Sequence, residues 1–159
     1  MLLTSVVQVL DALDGADVRS WVAGGWGVDA LVGRQTREHR DLDLAIDLAD
    51  LDASLQVLRT LEYVVETDWL PVRVELWAQD DEWVDLHPVR FDAAGHGLQG
   101  KLDGTHFRYP PTAFTDGHLE RRLVRCLSVD QQLRFHSGYE PREQDKHDID
   151  TLKQLKSRT

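Results

Sequence analysis

The stretch that most limits what this chain can fold into is Trp21-Val22-Ala23-Gly24-Gly25-Trp26-Gly27-Val28-Asp29-Ala30-Leu31 together with Thr36-Arg37-Glu38-His39-Arg40-Asp41-Leu42-Asp43-Leu44-Ala45-Ile46. A short apolar run stops at two glycines, restarts with helical spacing, halts at Gly33 and returns as a strand opening on Asp41 and Asp43. Side chains two apart on a strand share a face, so the two aspartates point one way while Leu42, Leu44 and Ile46 point into the core. Glycines before a helix leave its N-terminal N–H groups open to an anion, and paired carboxylates suit a hard cation. A phosphate cradle followed by a metal-ligand pair is the pattern these residues draw.

A third carboxylate follows from the next strand pair. Val72 to Trp77 and Trp83 to Val89 read as a hairpin joined through Gln79-Asp80-Asp81, with Trp83, Asp85 and His87 on one face. Converging on Mg²⁺, Asp41, Asp43 and Asp85 would hold two ions ~3.5–4 Å apart, an arrangement that clamps in-line displacement at phosphorus. Asp85, within reach of an incoming hydroxyl, would be the general base. Gly24 and Gly25 would let backbone N–H groups approach phosphate, and Arg37 would offset its charge. His39 has two readings, a hydrogen bond to phosphate or metal-bound water, or a brace for its own loop. An Asp-x-Asp pair or a Gly-Gly turn alone is a common solvated or packing device; their conjunction carries the inference.

Around this stretch the chain reads as alternating helix and strand. Val6, Val7, Leu10 and Leu13 mark a first helix near residues 4 to 14. Val18 to Ala23 reads as a strand, Gly33 as a left-handed helix stop, and Asp50 as the cap of a helix striped by Leu51, Leu55, Leu58 and Leu61. Tyr63 to Thr67 is a further strand. Pro71 and Pro88 are expected at strand starts or edges. Residues 92 to 118, rich in glycine and proline, read as a long irregular segment bordering a site. Leu123 to Leu127 is a short strand, Ser128-Val129-Asp130-Gln131 a capping box opening a helix that stops at Gly138, and Pro141 the first turn of a last helix carrying Ile149, Leu152 and Leu155. Asp29 is read as structural, in the first turn of its helix. Of Trp26, Trp69, Trp77 and Trp83, at least two are expected in the core.

The 159 residues fit one domain, residues 1 to 159, with 128 to 159 as a helical C-terminal extension. A net charge of −10 with no basic stripe argues against nucleic acid. It agrees with a cationic small-molecule ligand, although a soluble acidic surface is the simpler account of the charge. No apolar run is long enough for a membrane span, Met1-Leu2-Leu3-Thr4-Ser5 lacks a cationic leader, and the lone Cys126 fits a reducing compartment, so a cytoplasmic protein is expected. The irregular spacing of His96, His106 and His118, with no cysteine pair, does not suit zinc. Lys146 is read as a solvated helix residue or a nucleotide contact.

Gly24-Gly25-Trp26-Gly27-Val28-Asp29-Ala30-Leu31, Thr36-Arg37-Glu38-His39-Arg40-Asp41-Leu42-Asp43, Val84-Asp85-Leu86-His87-Pro88, Val124-Arg125-Cys126-Leu127-Ser128 and His136-Ser137-Gly138-Tyr139-Glu140-Pro141 resemble the small antibiotic nucleotidyltransferases. These are the aminoglycoside 2″-adenylyltransferase and lincosamide nucleotidyltransferase group of the DNA polymerase β-like superfamily. The resemblance spans roughly Trp21 to Leu155. It implies an α/β (α+β) nucleotidyltransferase fold, a mixed central sheet flanked by helices, with a short helical C-terminus. It further implies Mg²⁺-dependent transfer of a nucleoside monophosphate from a nucleoside triphosphate, ATP foremost, to a hydroxyl of a small cationic antibiotic, with release of pyrophosphate. On this resemblance Asp41 and Asp43 are the metal aspartates, Asp85 the third carboxylate and base, and Gly24, Gly25 and Arg37 the phosphate contacts. The chain has little room for a larger helical second domain, and a homodimer would supply another wall to the acceptor cleft. The alternatives are a metal-dependent phosphoesterase and a non-catalytic or toxin–antitoxin protein of the same fold.

Overall fold

In the computed structural model, which describes residues 1–137 and 139–157, five helices pack on one mixed sheet. The elements are α1 (Leu3–Gly15), β1 (Ser20–Val22), α2 (Gly24–Val32), β2 (Asp41–Asp47), α3 (Leu51–Thr60), β3 (Val64–Trp69), β4 (Arg73–Ala78), β5 (Glu82–Phe91), β6 (Gly97–Gly100), β7 (His106–Tyr109), β8 (Phe114–Leu119), β9 (Arg122–Leu127), α4 (Val129–Phe135) and α5 (Glu143–Lys156). The strand order is β3-β4-β5-β2-β1-β9-β8, with β6 on β5 and β7 on β6. β2 and β5 run parallel at the centre, and β1 joins β2 antiparallel.

The alternation along β2 and β5 divides the molecule into two faces. Leu42, Leu44 and Ile46 on β2 and Val84 and Leu86 on β5 are fully buried in the main core, with Val6, Leu10 and Leu13 of α1 and Leu58 of α3. Each such aliphatic side chain contributes roughly 1.5–3 kcal/mol through removal from water. Ala45, between Leu44 and Ile46, turns to the other face and joins a smaller cluster with Val89, Tyr109 and Leu127, bordered by Trp21, Phe91, Phe114 and Phe135. Asp43, Asp85 and His87 share that second face by strand periodicity. The first face stabilises the sheet, and the second carries the polar chemistry.

Several sequence expectations need correction. Residues 92 to 118 are not irregular: β6 and β7 form a hairpin on β5, and β8 pairs with β9. Their short, glycine-rich strands hide the period-two signal. Pro88 lies inside β5, paired with Ile46 of β2. It falls in the step after β4 leaves β5 at Leu86 and before β6 joins at Val89, where that edge needs no donor. Asp50 is the N-cap of α3, but its carboxylate accepts from the Arg19 backbone and guanidinium instead of the helix. Ser128 does cap α4 through the Gln131 N–H, whereas the Gln131 side-chain oxygen is buried without a partner among the described residues, so the reciprocal half of the capping box is missing. The stop expected at Gly138 lies outside the described residues.

α5 starts at Glu143, so Pro141 precedes its N-cap, Arg142, instead of opening the helix. Its buried face holds Asp145 and Asp148 beside Leu152, while Ile149 and Leu155 are only half-buried. α2 begins at Gly24, which puts Asp29 in the second turn, and Gly33 ends the helix in the left-handed conformation as expected. Of Trp26, Trp69, Trp77 and Trp83, only Trp26 is fully buried; Trp69 and Trp77 are exposed and Trp83 half-buried. Lys146 pairs with Glu143 on the exposed side of α5.

Candidate active site

The parallel register of β2 and β5 sets Asp43 directly opposite Asp85 and Asp41 opposite Trp83. His87, two residues past Asp85, brings Nε2 to 3.1 Å from Asp43 Oδ1 and 3.8 Å from Asp85 Oδ2. From β4, Arg73 donates to Asp85 Oδ2 at 2.5 Å and lies 4.0 Å from Glu75. Donor atoms of Asp43, Asp85 and His87 all lie within 4.8 Å of one another. Asp41 borders the same cavity outside that trio.

Burial and neighbouring charge set the acidities. Loss of water pushes the Asp85 carboxyl up to about 6; Asp43 adds to the rise, and His87 and Arg73 oppose it. Asp41 is raised by burial and then by Asp43. For His87, burial alone disfavours the charged ring, but the hydrogen bond and charge of Asp43 with the charge of Asp85 outweigh it and raise its pKa. Three carboxylates facing one space resist ionising together, the condition a bound cation relieves.

The glycine turn closes against these carboxylates. Ala23 N–H donates to Asp43 O, and Gly24 follows with φ +56° at the head of α2. A Cβ on Gly24 would lie 2.1 Å from Asp43 Oδ2, and one on Gly25 2.2 Å from His39 Nδ1 and 2.6 Å from Arg37 Nη2. Only glycine fits both positions. Helix-end N–H groups and the positive end of the α2 dipole therefore sit beside the acidic cluster.

All seven residues singled out in the sequence, Gly24, Gly25, Arg37, His39, Asp41, Asp43 and Asp85, border one cavity of about 840 Å³. Besides Asp43 and Asp85, Arg37 and His39 are also engaged with protein groups. Arg37 makes a two-pronged pair with Asp148 of α5, at 2.9 and 2.6 Å. His39 hydrogen-bonds the buried Asp29, which also accepts from the Thr36 N–H and hydroxyl, so the loop-bracing reading of His39 has direct support. Sequence reasoning missed Arg73, Asp148, Gln99 and Tyr109, which also border the cavity. His87 was visible on the face of Asp85 but was given no role.

The residues fit a hard divalent cation. Among the described residues Asp85 Oδ1 is buried without a hydrogen-bond partner, beside a second carboxylate across the ladder. An unpaired buried carboxylate oxygen is costly unless something positive approaches it.

A family model for aminoglycoside-2''-adenylyltransferases matches residues 5–152. The chain belongs to that family. It is a nucleotidyltransferase, of the class that moves a nucleotidyl group from a nucleoside triphosphate to an acceptor. A lincosamide resistance protein of Staphylococcus haemolyticus is 35% identical over 92% of this chain and 91% of its own length. A 2''-aminoglycoside nucleotidyltransferase of Klebsiella pneumoniae is 37% identical, over 80% of this chain and 87% of its own. The crystal structure of the lincosamide antibiotic adenylyltransferase LnuA, lincomycin-bound, superposes with a TM-score of 0.88 at 34% identity, covering 98% of each chain. The ANT(2")-Ia structure with adenylyl-2"-tobramycin, at 21% identity and a TM-score of 0.72 over 98% of this chain and 87% of that one, shares the fold. Neither the phosphoesterase nor the non-catalytic alternative finds support in these matches.

Proposed function

We propose that this family member transfers a nucleoside monophosphate, with ATP as the foremost donor, to a hydroxyl of a lincosamide-like or aminoglycoside-like small molecule and releases pyrophosphate. The observation that carries the reading is the ladder pair Asp43 and Asp85, with a carboxylate oxygen left unpaired, beside a helix N-terminus bare of side chains. Asp41, Asp43 and Asp85 would hold Mg²⁺, two ions in the fullest arrangement. When bound, Mg²⁺ would neutralise charge on the triphosphate and orient it.

The chain's own groups supply the rest. Gly24 and Gly25 offer N–H donors and the α2 dipole to phosphate oxygens. Asp85 would take the proton from the acceptor hydroxyl, with Arg73 opposing the effect of burial on that carboxyl and aiming it. Arg37 adds positive charge beside the turn while Asp148 holds its guanidinium plane. The cavity lining carries more carboxylates than guanidinium groups, an excess that favours a cationic acceptor over a neutral one.

The test is pyrophosphate release with Mg²⁺ and each ribonucleoside triphosphate against a panel of lincosamides and aminoglycosides, with Asp43→Asn as control. Acceptor-dependent release that disappears in the variant is expected. Release that persists in Asp43→Asn would remove the cation assignment, and nucleotide binding without release on any acceptor would remove the acceptor class.

A further inference from the structure

The strands that were hardest to see in the sequence hold a chain of hydrogen bonds that ends at the carboxylates. Tyr109 on β7 donates its hydroxyl to Gln99 Oε1 on β6, Gln99 Nε2 lies 3.2 Å from His87 Nδ1, and His87 Nε2 lies 3.1 Å from Asp43 Oδ1. Gln99 and Tyr109 are 6% and 1% exposed, so neither can trade these partners for solvent. The far end is fixed by packing: the Tyr109 ring stacks on Phe114 at 5.6 Å and meets Phe135 edge-on at 5.5 Å.

A neutral imidazole has one N–H and one lone pair, and this chain determines which nitrogen has which. Two polarities are self-consistent at the Gln99 end. With the tyrosine donating, the amide N–H₂ faces Nδ1, which must accept, and Nε2–H points at Asp43. With the amide reversed, Nδ1–H would donate to the amide oxygen and Nε2 would set a lone pair against the Asp43 carboxylate, acceptor against acceptor. For the neutral ring the 3.1 Å contact selects the first.

We propose that Tyr109 and Gln99 are positioning residues that hold neutral His87 in its Nε2–H tautomer, as a donor that clamps Asp43, and so withhold its lone pair from the cation site. His87 then lies within ligand distance of the carboxylates without serving as a ligand. The shell left to a cation is all oxygen, which suits Mg²⁺, whereas an imidazole lone pair there would favour Co²⁺ or Zn²⁺. The metal-selectivity part rests on the reading of Asp43 and Asp85 as cation ligands; the tautomer part does not.

The experiment uses the full chain, ¹⁵N-labelled and metal-free, with long-range ¹H–¹⁵N correlation spectra of His87 recorded above its titration, as located in the same spectra. The wild type should show a protonated Nε2 and a bare Nδ1. Gln99→Glu, which can only accept from Nδ1, no longer supports a bare Nδ1 and should shift the population toward the Nδ1–H form. Tyr109→Phe keeps the ring packing and removes only the anchor, and should give a mixture of the two tautomers. Calorimetric titration with Mg²⁺ and Co²⁺ then reads the consequence: the Co²⁺ to Mg²⁺ affinity ratio should rise by about tenfold in Gln99→Glu. A wild-type ring protonated on Nδ1, or one unmoved by both substitutions, overturns the proposal. A wild type with the expected tautomer that binds no Mg²⁺ supports the positioning role and overturns the cation reading beneath the selectivity.

Discussion

Arg73 donates to one oxygen of Asp85 at 2.5 Å, while the other oxygen of the same carboxylate is buried with no partner among the described residues. One lone-pair set is tied down and the other is left for chemistry. Replacing Asp85 with Asn preserves an acceptor for Arg73 and removes the base. Transfer activity is therefore expected to fall by about 10²–10⁴-fold, with circular dichroism and melting close to wild type. Unchanged turnover would exclude Asp85 as the base.

The two glycines with positive φ at the ends of α2 should respond differently to alanine. At Gly24, with φ +56°, the new methyl would strike Asp43 2.1 Å away; at Gly33, with φ +84°, it would meet open space. Gly33→Ala is expected to cost about 1 kcal/mol of backbone strain and to leave activity intact. Gly24→Ala should abolish transfer as well. Denaturant melts paired with an activity assay separate the two, and an active Gly24→Ala would show that the turn can yield.

The pair of Arg37 with Asp148 ties the loop before β2 to α5, with the Asp148 side chain 3% exposed. Arg37→Ala leaves that carboxylate buried without its partner, a loss of about 3 kcal/mol. In a domain of this size the melting temperature should drop by about 6–12 °C. Arg37→Lys cannot reproduce the two-pronged geometry and should recover only part of it. A melting temperature unchanged in Arg37→Ala would mean that the pair adds nothing to stability.

Acid should stabilise the metal-free protein over a defined window. Burial raises the folded pKa of Asp85 to about 6, above the roughly 3.9 of an unfolded aspartate. Between those values the folded state binds more protons, so the stabilising effect of protonation is present at the low end and is lost as pH rises through about 6. Asp41 and His87 are raised too and act in the same direction. The metal-free chain should gain roughly 1 kcal/mol from Asp85 between about pH 7 and pH 5, and Asp85→Asn should reduce that gain. Protection by Mg²⁺ should run the other way, weaker at pH 5 than at pH 7, because proton and cation compete for one carboxylate. Melting curves with and without Mg²⁺ check both signs.

What could be read from the sequence was what depends on local period and spacing. The faces of Asp41, Asp43 and Asp85 follow from alternation along β2 and β5, and Gly33 from the end of a helical pattern. The ladder pairing of Asp43 with Asp85 needs the parallel crossover, which no local pattern states. Arg73, Asp148 and Gln99 reach the site from elements remote in sequence, and each resembles an ordinary surface polar residue until the sheet is assembled. The expectation of at least two core tryptophans failed at Trp69 and Trp77 because β3 is an edge strand and its neighbour is not fully covered. Asp50 was a reasonable cap by residue type, but Arg19 offered its carboxylate a charged partner.

Because Asp43 and Asp85 are neighbours in a hydrogen-bonded ladder, their spacing is inherited from main-chain geometry and not from the fit of the side chains around them. The outer wall, by contrast, is contributed by separate pieces such as Tyr139, Arg142 and Gln144 near the start of α5 and Phe107 on β7. Reaction and recognition are thus encoded in different materials. Drift in the wall can change which molecule is accepted while the reacting pair keeps its spacing, so an altered acceptor range is within reach of a few substitutions that never touch β2 or β5.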